Sequence, residues 1–89
     1  MVVCKKVLYS GHVQGVGFRY TTQRLAQGYA VTGYVCNLPS GQVELVAEGS
    51  TDEVAAFIDA VNRQMAEYVG RHTIQDETPQ GFNGFTIRH

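Results

Sequence analysis

The clearest pattern along the chain lies in its middle. Val54, Phe57, Ile58, Val61 and Met65 recur at helical spacing and predict one core-facing stripe. Ser50 stands where a helix N-cap belongs, and Glu53, three residues on, completes a capping box. Asp52 and Glu53 also suit the positive end of the helix dipole. A shorter helix is predicted from Phe18 to about Gln27, with Phe18, Thr22, Leu25 and Ala26 roughly on one face and Gly28 at its end. Val2 to Ser10 is rich in valine, with leucine and tyrosine, and predicts a strand. Ala30–Cys36 and Val43–Ala47 are β-like, and Asn37–Gly41 between them, with Pro39 and Gly41, predicts a hairpin loop. Tyr68–Gln75 reads as a strand, Asp76–Gly84 as loop, and Phe85 and Ile87, alternating with Thr86 and Arg88, as a short last strand. The economical packing of this order is α+β: two amphipathic helices on one face of a mainly antiparallel sheet.

The gross numbers narrow the function. Eighty-nine residues make one domain, 1–89. With net charge −1 and a pI near 6.2, the chain lacks the broad basic face on which nucleic-acid affinity rests. Lys5 and Lys6 interrupt the start before any signal-peptide core develops, and no apolar run approaches a membrane span. Cys4 and Cys36 are far apart and in no metal-like spacing, so free thiols and a cytoplasmic location are expected. His12, His72 and His89 show no paired ligand spacing; no metal or cofactor is expected, and each histidine reads as an ordinary surface residue.

Candidate chemistry gathers in GHVQGVGFRY, Gly11 to Tyr20. After a strand and before a helix, successive N–H groups and the helix dipole form a nest for phosphate or sulfate. Gly15 and Gly17 permit positive φ and a close approach, Val13 and Val16 can anchor the loop, Gln14 can tie it by side-chain hydrogen bonds, and Arg19 offers a planar fork for two phosphoryl oxygens. No Gly-Lys-Ser/Thr closes the loop, and Tyr20 stands where a dinucleotide fingerprint needs its third glycine. On glycine content alone a structural strand-to-helix turn is the stronger reading. Arg19 tips the balance, because a cation at a helix start is unfavourable unless an anion compensates. A carboxylate, the chain's own terminus at His89 included, would also serve. Asn37, taken alone, reads as a turn asparagine; Tyr20 and Tyr34 read as core first.

GHVQGVGFRY followed by GYVCNLPSGQVELVAEG closely resembles the acylphosphatase family, whose pattern is roughly G-x-V-Q-G-V-x-F-R and then G-[WY]-V-x-N-x-x-D/S-G-x-V-E-V-x-A-x-G. The resemblance runs from Gly11 to Gly49, and the second helix and the FTI near the end fit it too. It implies a ferredoxin-like two-layer α/β sandwich (βαββαβ) that hydrolyses the carboxyl–phosphate bond of acyl phosphates to carboxylate and inorganic phosphate. It places the phosphate loop on Gln14, Gly15, Val16, Gly17 and Phe18, the catalytic arginine on Arg19, and on Asn37 the asparagine that orients the attacking water. Cys36 stands where the family usually has a basic residue, Tyr34 replaces the commoner tryptophan, and Glu67–Gly81 lacks the usual Gly-Pro and Arg-Val features.

So sparse a site suits the reaction. The leaving carboxylate has a conjugate-acid pKa of about 4 to 5 and needs no proton donor. Phosphoryl transfer through a loose transition state is largely a matter of positioning and electrostatics. So a metal-free site acting on a small acyl phosphate is expected; the chain is taken as a monomer, without nucleic-acid or membrane partners. A non-catalytic anion-binding module on the same fold is the alternative. A single-strand RNA binder ranks last, because VELVAEG is acidic and lacks sheet aromatics.

Overall fold

A computed structural model describes residues 1–89. In chain order the elements are β1 (Val2–Gly11), α1 (Phe18–Ala26), β2 (Val31–Asn37), β3 (Val43–Ser50), α2 (Thr51–Gln64), β4 (Val69–Glu77) and β5 (Phe85–Arg88). The strands form one sheet in the order β4-β1-β3-β2-β5. Every pairing is antiparallel except β2 with β5, where Gly33 faces Phe85 and Cys36 faces Arg88. Val7, Tyr9, Val35, Leu45 and Ala47 project from one face of this sheet and are buried against Phe18 and Ala26 of α1 and Val54, Phe57, Ile58 and Val61 of α2. This is the expected ferredoxin-like α+β sandwich.

The element boundaries differ from expectation where pairing or tethering overrides local pattern. β3 continues three residues beyond Ala47, because Glu48, Gly49 and Ser50 go on pairing with Cys4, Val3 and Val2. The α2 capping box is half made. Ser50 Oγ accepts the Glu53 N–H at 3.2 Å, while Glu53 Oε1 accepts the Ala30 N–H at 2.7 Å and so ties the helix to the chain just before β2. β4 reaches Glu77, absorbing the first residues of the expected loop. The remaining loop must join opposite edges of the sheet. It does so across the face away from the helices: Glu48 accepts the N–H groups of Gln80 (2.6 Å) and Gly81 (2.9 Å), and Phe82 packs edge-on against Tyr34.

Strand direction decides where chemistry can gather. β1 and β2 both run antiparallel to β3, and β5 runs parallel to β2. The C-terminal ends of β1, β2 and β5 therefore lie at one end of the sheet, and the loop leading into α1 begins there.

Candidate active site

At that end, Val13, Gly15, Gly17, Phe18, Arg19, Tyr20 and Asn37 line a cleft of about 110 Å³. Its wall is the glycine loop. Gly15 and Gly17 have φ of 80° and 77°, the left-handed region glycine occupies without strain, and a Cβ on either would meet nothing within 4 Å. Conformation, not crowding, thus requires glycine at both. Val13 is fully buried, and Val16 packs on the core edge. Gln14 Nε2 donates to the carbonyls of Leu38 (2.9 Å) and Gln42 (3.0 Å), which clamps the loop to the β2–β3 hairpin. Both the anchors and the tie were expected.

The loop's N–H groups remain free. Those of every residue from Gly15 to Tyr20 find no acceptor within the protein; the first bond at this helix start is Thr21 N–H to the Gly17 carbonyl at 3.0 Å. No side chain caps α1, and no acidic residue lies in its first turn. A helix start with unpaired N–H groups, an arginine and no carboxylate is an electropositive cradle.

Asn37 is the last residue of β2, not a turn residue, so the strand fixes its backbone. Its Oδ1 is buried in the cleft region and accepts no hydrogen bond from the protein. The sequence separates Arg19 from Asn37, and the fold brings them to the same cleft.

Two expectations need correction. Tyr20 is not core: it is 69% exposed at the cleft rim. Tyr34 is half-buried on the sheet face opposite the helices, where its hydroxyl donates to Glu44 Oε2 at 2.8 Å and the Arg88 guanidinium lies 3.8 Å from its ring centre. Burial, reinforced by Glu44, pushes its hydroxyl up to about 12. Cys36 shares this environment, with Sγ 3.8 Å from Glu44 Oε2. Burial first, then Glu44, raises the thiol above its ordinary value, against the pull of Arg88 and Arg19. At neutral pH Cys36 is therefore an uncharged thiol, and although it supplies no cation it sets no negative charge beside Arg19.

The sequence offered the terminus at His89 as a partner for Arg19 through its carboxylate. The His89 ring Nδ1, not a carboxylate, lies 3.3 Å from Arg19 Nη1. What places the ring there is the parallel register of β5 on β2, which no local pattern in the sequence encodes.

The chain from residue 5 to residue 87 matches the family model described as Acylphosphatase. The chain belongs to the acylphosphatase family. The acylphosphatase of Methanospirillum hungatei JF-1 is 45% identical over 84 residues, covering 92% of each chain. Among solved structures, the acylphosphatase from Bacillus subtilis superposes with a TM-score of 0.87 at 29% identity, covering all of both chains. That from Coxiella burnetii gives 0.85 at 30% identity, over 98% of this chain and 93% of the other. Acylphosphatases hydrolyse acyl phosphates, and this chain is an acylphosphate-hydrolysing enzyme. The larger hollow of about 460 Å³ between α2 and the β1–β4 edge, lined by Ile58, Ile74 and Lys5 among others, brings together no comparable set of donors.

Proposed function

We propose that the cleft between the glycine loop and Asn37 is where a small acyl phosphate is hydrolysed, without a metal, through Arg19 and Asn37. The observation that carries this reading is the convergence in one cleft of free loop N–H groups, a guanidinium and an unpaired amide oxygen. The N–H groups from Gly15 to Arg19 and the Arg19 fork hold the phosphoryl oxygens, where charge is spread in the transition state. Asn37 Oδ1 accepts one O–H of a water and aims its oxygen at phosphorus, in line with the leaving carboxylate. The water oxygen–phosphorus bond forms as the bond from phosphorus to the acyl oxygen breaks. The bond electrons leave with the carboxylate, and a phosphoryl oxygen takes the water's proton. An amide is too weak a base for that proton, and the mechanism asks no side chain to take it.

One chain supplies every participating group, in keeping with a monomer. Both cysteines are free, in keeping with a reducing, cytoplasmic setting.

Hydrolysis of benzoyl phosphate, followed by ultraviolet absorbance in EDTA, tests the reading. Wild type is expected to turn over, Arg19→Ala to lose about 10³-fold or more, and Asn37→Ala to lose turnover while still binding phosphate. Activity that disappears in EDTA and returns with a divalent ion would overturn the metal-free mechanism. A folded Arg19→Ala variant with full activity would remove Arg19 from it.

A further inference from the structure

We propose that β4 is a docking edge for a second copy of this chain: as concentration rises, two copies pair antiparallel through it, about a two-fold axis at Ile74. The inference is independent of how the cleft works. It starts from an edge that is left open. β4 pairs with β1 and with no other strand, and on its outer side the backbone from Arg71 to Glu77 makes no hydrogen bond. The opposite edge of the sheet is the four-residue β5, whereas β4 runs for nine residues with no proline and no lysine to blunt it. Of the exposed large apolar side chains, Met1 and Val2 stand at the chain start and Tyr20 at the cleft rim; Ile74, at 49% exposure, is the one in the middle of a strand.

Any extended chain can add a strand to an open edge, but the sequence of β4 selects its own copy. A two-fold antiparallel pair centred on Ile74 sets Arg71 opposite Glu77, His72 opposite Asp76 and Thr73 opposite Gln75, and symmetry makes each contact twice. Arg71, which makes no ion pair within its own chain, thus meets a carboxylate, and no carboxylate meets another. Sliding by two residues, the smallest slip that keeps both helix layers on one side of the joint sheet, sets Arg71 against Gln75 or carries it past the end of the strand. The faces agree with the register. Ile74 is level with buried Val7, His72 with Tyr9 and Asp76 with Lys5, so these three β4 residues lie on the helix side. Arg71, Thr73, Gln75 and Glu77 lie on the other. On the helix side, Val54, Ala55 and Ile58 of α2 wall the hollow of about 460 Å³ that opens at this edge. In the pair, each Ile74 covers its counterpart at the mouth of that hollow, with a His72–Asp76 contact on either side. None of Arg71–Glu77 lines the cleft, so pairing covers none of its residues, and a dilute single chain keeps the whole of it.

Sedimentation velocity from micromolar to millimolar concentration tests the pairing. Wild type is expected to move from the 9.8 kDa of one chain towards twice that mass. Over the same range, the outward-facing amides of β4 should slow their hydrogen exchange, and those of β5 should not. Ile74→Lys sets two cations against each other at the axis and is expected to stay a single chain throughout. Charge tests the register. Arg71→Glu places carboxylates opposite each other at both ends of the pair, and Glu77→Arg places guanidinium groups so; each variant alone should associate roughly tenfold more weakly than wild type. Mixed in equal amounts, the two variants form a hybrid pair whose contacts are again of opposite sign, and association should return close to the wild-type strength.

Circular dichroism checks that each variant folds. Glu77 also pairs with Lys6 at 3.4 Å; should Glu77→Arg fail to fold, Ile74→Lys and the exchange pattern still decide. Three results would overturn the proposal. One is a mass that stays at a single chain up to millimolar concentration. Another is association that survives Ile74→Lys or protects β5 in place of β4, which would put the contact elsewhere on the molecule. The third is a pair of folded charge variants that leave association unchanged, or weaken it without rescuing each other, since the antiparallel register about Ile74 requires both effects.

Discussion

At the scale of single residues, Cys36 is a departure from the family pattern that adds no charge beside the candidate site. Where the family usually carries a cation, this chain places a thiol between Glu44 and the two arginines. Burial, and then the Glu44 carboxylate, favours the protonated form. Because only the thiolate reacts, alkylation of Cys36 by iodoacetamide should be slow at neutral pH and should rise only above the ordinary thiol range, near about 8.5. The sign of the Glu44 contribution can be checked directly. Glu44→Gln removes the negative neighbour, lowers the thiol's pKa, and should quicken alkylation at pH 8 by several-fold. Burial, the larger cause, remains, so the quickening should be partial. Peptide mass spectrometry separates this site from the fully buried Cys4. A thiol that titrates at or below the ordinary value would show that the environment assigned to Cys36 is wrong. The same scale limited what the sequence could reveal. The loop tie of Gln14 and the anchoring of Val13 were readable from residue type and place, and the proposed roles of Arg19 and Asn37 from the family motif. The places of Tyr20 and Tyr34 were not, because an aromatic side chain suits a core, a rim or a sheet face equally well.

At the scale of elements, α2 and β1 were legible because their apolar patterns are written in adjacent residues. The end of β3 was not. Glu48 reads as a polar stop, yet it lies in a paired strand at 8% exposure, because the loop from β4 to β5 crosses above it and donates two N–H groups to its carboxylate. The partner that makes a buried carboxylate acceptable there lies more than thirty residues away. The half-made capping box has the same origin, since the N–H that Glu53 serves belongs to Ala30. This strap has a measurable weight. Glu48→Ala leaves two loop N–H groups without their charged acceptor and should cost about 1–3 kcal/mol in urea unfolding. Glu48→Gln keeps one acceptor oxygen and should cost less. Both variants should retain turnover, because the strap does not line the cleft. An unfolding midpoint equal to wild type in Glu48→Ala would mean that the loop is held by Phe82 on Tyr34 instead.

At the scale of the whole molecule, the candidate site is a property of the assembled sheet. Loop residues 14–19, Asn37 at the end of β2 and His89 beyond β5 meet only when β1, β2 and β5 lie in their native order. The unfolded chain has no such cradle, so an anion that occupies it must stabilise the fold by mass action. At a phosphate concentration of 100 times Kd the gain is about 2.7 kcal/mol. For a chain of this length, 1 kcal/mol moves Tm by roughly 4–8 °C. A rise of about 10 °C or more over a chloride control of equal ionic strength is therefore expected. The variants divide the roles that hydrolysis alone merges. Arg19→Ala should lose most of the shift, because it removes the fork proposed to hold the anion. Asn37→Ala should keep the shift while losing turnover, because in the proposed mechanism its oxygen serves the water and not the phosphoryl group. Glu48→Ala should start from a lower Tm and rise by the same amount, because the strap stabilises the fold without touching the cleft. If Asn37→Ala and Arg19→Ala lose the shift together, Asn37 belongs to the anion cradle, and the attacking water must be oriented by another group.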